Sequence, residues 1–202
     1  MKNLVIFLHG VGSRGSDFEA LGRQWSQELS DVSFAFPDAP FAFDQGGPGR
    51  QWFSVRGVTP ANRQQRVVEA RSSFDTLIGE IVAEKGPAGH LDRVALVGFS
   101  QGAIMALDVL ASGRWPAAVV VAFSGRLASP EPLAPHPGSR ALLVHGSADS
   151  VMPVAEALAA QAKFEEAGVS VERHILADVG HTIPQEGSVI ARNYLVQVFA
   201  QT

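Results

Sequence analysis

The stretch "VALVGFSQGAIMAL" (94–107) decides how this chain folds. Its first half is apolar without alternation, the pattern of a strand buried on both faces. Its second half continues at once in helix-forming residues, with no polar linker between. A strand that runs directly into a helix forces a tight turn, and Ser100 at its tip is held out above the sheet. The flanking positions lie too close to neighbouring strand and helix for side chains, and Gly98 and Gly102 occupy them. Gly98-Phe99-Ser100-Gln101-Gly102 is therefore G-x-S-x-G in the setting that builds a nucleophile elbow. In a loop the same pentapeptide would be a glycine-bounded turn with a solvated serine; the flanking strand and helix separate the two readings.

Outward from this turn the pattern repeats. "NLVIFLH" (3–9), "VSFAFP" (32–37), "RVALVGF" (93–99), "AAVVVAF" (117–123) and "ALLVH" (141–145) predict strands covered on both faces. "VERHIL" (171–176) alternates more and suits an edge. Helical patterns lie between them at 16–29, 61–84, 101–112, 153–167 and 187–200. The long one has Thr59 as its expected cap and Pro60 at its first position. Gly168 reads as a helix stop. Alternating strands and helices predict an α/β fold with a mostly parallel sheet. Two irregular stretches, 38–58 and 125–139, are long enough for loops of this kind to carry function.

Composition narrows the classes. The chain has 202 residues, enough for one well-buried domain, and a net charge of -4, which leaves no footprint for nucleic acid. No Lys/Arg cluster or long apolar run points to a stable membrane association. With 0 cysteines, disulfides and thiol nucleophiles are excluded. Strand-like sequence begins by Leu4, which leaves no room for a signal peptide, so the expected location is cytoplasmic.

A serine hydroxyl needs a base. On this architecture the partners follow in the order Ser, acid, His, beyond the ends of later strands. Asp149 lies just past "ALLVHG" and His181 just past "VERHIL" and "ADVG". Asp178 is the competing acid, but it shares the His181 loop and is less well placed to brace the ring. His9, His145, His174, His90 and His136 read as structural. The pattern Gly10, Gly12, Gly15 after the first strand is G-x-G-x-x-G, and Asp38 ends the next strand where a ribose-binding carboxylate would sit. A nucleotide-binding oxidoreductase is thus an alternative reading. It leaves Ser100, Asp149 and His181 unexplained. The same loop serves acyl transfer better: a tetrahedral oxyanion needs two aimed N–H donors, one from Gln101 after the nucleophile and one from Val11 in "HGVG".

These motifs, "FLHGVGSRG", "GFSQGA", "HGSAD" with "MP", and a late "GH", resemble the phospholipase/carboxylesterase family of α/β-hydrolases, which includes acyl-protein thioesterases and small bacterial carboxylesterases. The resemblance spans nearly the whole chain. It implies one α/β-hydrolase domain over 1–202, the triad Ser100, Asp149 and His181, and an oxyanion hole from the backbones of Val11 and Gln101. "GRQWFSV" resembles the segment carrying an aromatic pair beside the site, so Trp52 and Phe53 are expected to line an acyl pocket. The chain departs from the family at Ser54, where many relatives carry Asp. It also begins almost at the strand leading to "HG", where relatives usually start with an antiparallel hairpin. That predicts a sheet trimmed to about six strands, with helices on both faces and no large lid domain.

The expected activity is hydrolysis of small acyl or aryl esters without cofactor or metal, by a monomer or homodimer. Thioesters and lysophospholipids remain alternative substrates within the same fold. Leu127 and Met152 join Trp52 and Phe53 as candidate pocket residues. Arg50, Arg56 and Arg126, in or beside the long loops, are candidates to meet an anionic substrate or are surface residues.

Overall fold

The computed structural model describes residues 2–87 and 89–201. Six strands form one sheet: β1 (Asn3–Leu8), β2 (Val32–Ala35), β5 (Val94–Phe99), β6 (Val119–Phe123), β7 (Arg140–Gly146) and β8 (Ser170–Leu176). Their order is β2-β1-β5-β6-β7-β8, and every pairing is parallel. The chain thus starts near one side, steps out to β2, crosses back over β1 to β5 and then moves outward in sequence. The direction reverses between β1 and β5, so the loops leaving these two strands open a crevice at their carboxyl ends, where ligands bind in such sheets.

Alternate side chains of the strands enter two cores. Leu4, Ile6, Leu96, Val120, Ala122 and Leu143 pack beneath α2 (Arg63–Lys85), α3 (Gln101–Ser112) and α4 (Ala155–Glu166). Val5, Phe7, Val97, Val121, Phe123 and Leu142 pack against α1 (Glu19–Trp25) and α5 (Gln185–Phe199). Helices on both faces explain the unbroken apolar runs of the central strands. β8 lies at an edge as its alternation predicts, and β2 forms the other edge, with Val32, Ser33 and Phe34 half-buried.

Several boundaries differ from the sequence expectations. The first helix is split into a 3-10 turn (Gly15–Phe18) followed by α1. α2 begins at Arg63, not beside Thr59 and Pro60. The Asn62 side chain explains this: its Oδ1 accepts the Thr59 N–H at 2.8 Å and its amide donates to the Gly57 carbonyl at 2.9 Å, tying residues 57–62 into a turn. Inside the stretch expected to be irregular, β3 (Phe41–Ala42) and β4 (Arg50–Gln51) pair antiparallel. Gly46 and Gly47, at φ 90° and 82°, close the hairpin. Gly168 ends α4 as expected: its φ is 82°, and Val169 N–H returns to the Phe164 carbonyl at 2.9 Å. Among the described residues no helix is long and apolar enough to cross a membrane.

Candidate active site

The turn between β5 and α3 is as tight as the sequence requires. Ser100 has φ 52° and ψ -115°, a conformation a non-glycine residue holds only when its surroundings over-determine it. Its N–H donates to the Phe123 carbonyl at 3.0 Å, and its carbonyl accepts the Ile104 N–H at 3.1 Å. A Cβ on Gly98 would lie 2.5 Å from the Ala103 backbone, and one on Gly102 would lie 1.9 Å from the Leu8 carbonyl oxygen. The elbow therefore presses α3 directly onto the end of β1.

His181 lies in the loop after β8 and is half-buried, its ring 4.9 Å between centroids from Phe99. The loops after β7 and β8 are bonded to each other. Ala148 N–H donates to the Val179 carbonyl at 2.9 Å, and Asp178 N–H donates to the Ser147 hydroxyl at 2.9 Å. This brings Ser100, Asp149 and His181 together: His181 Nε2 is 3.0 Å from Ser100 Oγ, and His181 Nδ1 is 2.8 Å from Asp149 Oδ2. The other carboxylate oxygen, Oδ1, accepts the N–H groups of Val151 at 3.0 Å and Met152 at 2.7 Å. Burial alone pushes the Asp149 carboxyl up; the Met152 N–H and the His181 ring outweigh it and hold the group below the usual carboxylate range. A charged Asp149 is an acceptor, so the proton of the imidazole sits on Nδ1 and Nε2 is left to accept from Ser100. Asp178, the rival acid, is exposed and has φ 59°.

Val11 lies in the turn after β1, and Gln101 opens α3. A Cβ on Gly10 would stand 3.5 Å from that of Ser100, so the first glycine loop runs against the elbow. Among the described residues, neither the Val11 nor the Gln101 N–H has a main-chain acceptor. The donors a dinucleotide phosphate would need from this loop are largely engaged. Gly12 N–H donates to the Arg50 carbonyl at 2.8 Å, and Gly15 N–H donates to Asp38 Oδ1 at 2.9 Å. Asp38 also pairs with Arg14 at 2.7 Å, and that guanidinium is the main cause holding its carboxyl below the ordinary range. The carboxylate that could have met a ribose is a brace of the loop.

The expected pocket residues separate. Trp52 does not form an open wall: it is 1% exposed, and its ring packs 5.4 Å from Phe74 and 5.5 Å from His9. Its indole N–H donates to the His9 carbonyl at 2.8 Å, a core position no local pattern announces. Phe53 borders a cavity of about 420 Å³ shared with Phe41, Ala42, Gln51, Ser54 and Ala70. The Ser54 hydroxyl donates to Asp44, which belongs to the same cavity wall, so a carboxylate from the β3–β4 turn stands against position 54. Met152 is buried and Leu127 packs half-buried against the core. Arg50 donates to the Ala39 carbonyl at 2.9 Å, Arg56 to the Asp44 carbonyl at 2.7 Å, and Arg126 pairs with Glu156 at 2.7 Å.

His9 is structural, as expected: its Nε2 accepts the Ala39 N–H at 2.9 Å. His145 does more than the sequence suggested. It is buried, donates from Nε2 to the Met152 carbonyl at 2.7 Å, and places that nitrogen 3.6 Å from Asp149 Oδ2. It thereby holds the turn whose N–H groups grip the carboxylate. The only sequence signal for it was its place at the end of β7.

The phospholipase/carboxylesterase family matches residues 1–198. Esterase YpfH of Escherichia coli (strain K12) is 36% identical over 203 residues, covering 96% of this chain and 82% of that protein. Acyl-protein thioesterase 1 of Yarrowia lipolytica is 27% identical over 161 residues, covering 73% and 70%. The crystal structure of esterase PE8 superposes with a TM-score of 0.89 at 33% identity, covering 98% of this chain and 93% of that one.

Proposed function

The chain belongs to the phospholipase/carboxylesterase family and is a carboxylesterase-type hydrolase, and from that premise we propose that it cleaves small acyl or aryl esters through an acyl-enzyme on Ser100. The observation that carries this reading is the position of His181, 3.0 Å from the Ser100 hydroxyl on one side and 2.8 Å from Asp149 on the other. In the first step His181 Nε2 takes the hydroxyl proton as Ser100 Oγ attacks the ester carbon. Asp149 holds the ring in the required tautomer and stabilises the imidazolium. The N–H groups of Val11 and Gln101 receive the charge that develops on the former carbonyl oxygen. The tetrahedral intermediate collapses, the leaving alcohol takes its proton from His181, and the acyl group stays on Ser100. Water then enters, gives a proton to His181 and attacks the acyl carbon; collapse returns that proton to Ser100 and frees the acid. This chemistry calls for no metal or organic cofactor.

A fluorophosphonate probe, followed by mass spectrometry of the digested protein, tests nucleophile and class together. The expected adduct is on Ser100, and Ser100→Ala is expected to remove it and to lower kcat by about 10⁴-fold or more. A panel of p-nitrophenyl esters and matched thioesters then ranks the substrates. Labelling elsewhere, or wild-type ester hydrolysis by a folded Ser100→Ala variant, would overturn the proposal.

A further inference from the structure

A four-residue strap, Arg50–Phe53, lies between the loop after β1 and the start of α3, which carry the proposed oxyanion donors, and it is bonded to both. On the β1 side, Gly12 N–H donates to the Arg50 carbonyl at 2.8 Å and Arg50 N–H donates to the Ser13 carbonyl at 2.9 Å. The contact is close enough that a Cβ on Gly49 would lie 2.1 Å from the Gly12 carbonyl oxygen. The Trp52 indole adds a third tie, to the His9 carbonyl at 2.8 Å. Val11 is thus bracketed on both sides by residues bonded to the strap. On the α3 side, the buried Gln101 side chain makes both of its possible kinds of bond to the same strap. Its Oε1 accepts the Trp52 N–H at 2.8 Å, and its Nε2 donates to the Phe53 carbonyl at 2.8 Å.

We infer that the Gln101 side chain is a positioning residue that, through the strap, fixes the spacing and aim of the Val11 and Gln101 N–H groups; this rests on the function proposed above. The physical reason lies at the elbow. The peptide that presents the Gln101 N–H follows a serine at φ 52° and ψ -115°, a strained conformation that needs outside support. A side chain held at its donor and its acceptor ends resists rotation of that peptide. Because the far side of the strap holds the β1 loop, the two N–H groups are referenced to one rigid piece of backbone. Donors that keep their aim before charge develops avoid reorganisation in the transition state, where the benefit appears in kcat and not in ground-state binding.

The test uses Gln101→Met, which keeps the side chain's length but not its polar ends, and Trp52→Phe, which keeps an aromatic ring but removes the bond to His9. Activity is expressed per fluorophosphonate-titrated site, so unfolded protein does not count. Gln101→Met is expected to lower kcat about 10- to 100-fold with KM within about threefold of wild type. Affinity for an arylboronic acid, which forms a tetrahedral adduct on the serine, should fall in step with kcat/KM. The pH at which the acid limb of kcat/KM falls should stay in place, because His181 and Asp149 are untouched. Trp52→Phe should move kcat in the same direction by less, and it decides the matter on the same criteria if Gln101→Met does not fold. Unchanged kcat per site, or a loss confined to KM, overturns the inference while leaving the proposed function standing. Failure of the probe to label wild-type Ser100 overturns the function itself.

Discussion

Replacing Asp149 by Asn should abolish most activity without unfolding the protein, and the hydrogen bonds predict why. Asp149 Oδ1 is held by two main-chain donors, Val151 N–H at 3.0 Å and Met152 N–H at 2.7 Å. The carbonyl oxygen of an asparagine would occupy that position, because an NH₂ group there would face two donors. The amide nitrogen is then forced toward His181, where the carboxylate oxygen now sits 2.8 Å from Nδ1. An NH₂ group donates, so Nδ1 must become the acceptor and the ring proton moves to Nε2. That nitrogen, 3.0 Å from Ser100 Oγ, can then no longer take the hydroxyl proton. Loss of the tautomer in a Ser-His-Asp hydrolase costs about 10⁴-fold in kcat, which corresponds to about 5.5 kcal/mol of transition-state stabilisation. The stability cost should be smaller, about 1–3 kcal/mol, because the shape and the two main-chain bonds are retained and only their charge assistance is lost. The assay is steady-state hydrolysis of a p-nitrophenyl ester beside a thermal melt. A folded Asp149→Asn variant keeping more than about a tenth of wild-type kcat would show that Asp149 does not set the tautomer.

Other perturbations separate scaffold from chemistry. Gly102→Ala would drive a Cβ to 1.9 Å from the Leu8 carbonyl oxygen, so it should cost about 3 kcal/mol or more and displace the nucleophile, read as a lowered Tm together with lost ester hydrolysis. Asp108, fully buried on α3, is pushed up by burial but held below the ordinary carboxylate range by Arg71, Ser129 and Arg114. Its contribution to stability is therefore present above about pH 4 and lost as pH falls through its folded value, so Asp108→Asn should flatten the acid limb of a Tm-against-pH curve; a limb parallel to wild type would contradict this. Asp178→Asn should leave kcat within about twofold, measured on the same esters, because that carboxylate stands outside the Ser100–His181–Asp149 line. Adding NAD should leave Tm unchanged, since Asp38 and the Gly12 and Gly15 N–H groups already have partners within the protein.

Much of the architecture was legible because its signals are local. β1, β5, β6 and β7 are buried on both faces, and such strands can only be written as unbroken apolar runs. The elbow was legible because its strand, serine turn and helix are consecutive in the chain, with glycine at 98 and 102 where an added Cβ would collide with backbone. The boundaries that escaped the sequence have separate causes: side-chain bonds of Asn62 displaced the start of α2, and the two-residue strands at 41–42 and 50–51 are too short to show a period. Trp52 was expected at a pocket wall because "GRQWFSV" resembles a family segment that carries an aromatic pair beside the site. Its burial against Phe74 and its bond to His9 depend on chain segments that no window around it contains.

The sequence by itself determined the order of strands and helices, the place of the serine turn, and which acids and histidines lie beyond strand ends, because backbone conformation and burial leave their marks on neighbouring residues. Only the tertiary structure decided that Asp149 and not Asp178 meets His181, that Asp38 braces the glycine loop, and that one strap joins the loop around Val11 to the Gln101 side chain. Those outcomes join groups as far apart as the 49 positions between Trp52 and Gln101. Bonds of about 3 Å between such distant residues follow from how the loops beyond the sheet pack on one another, and local pattern carries no record of that packing.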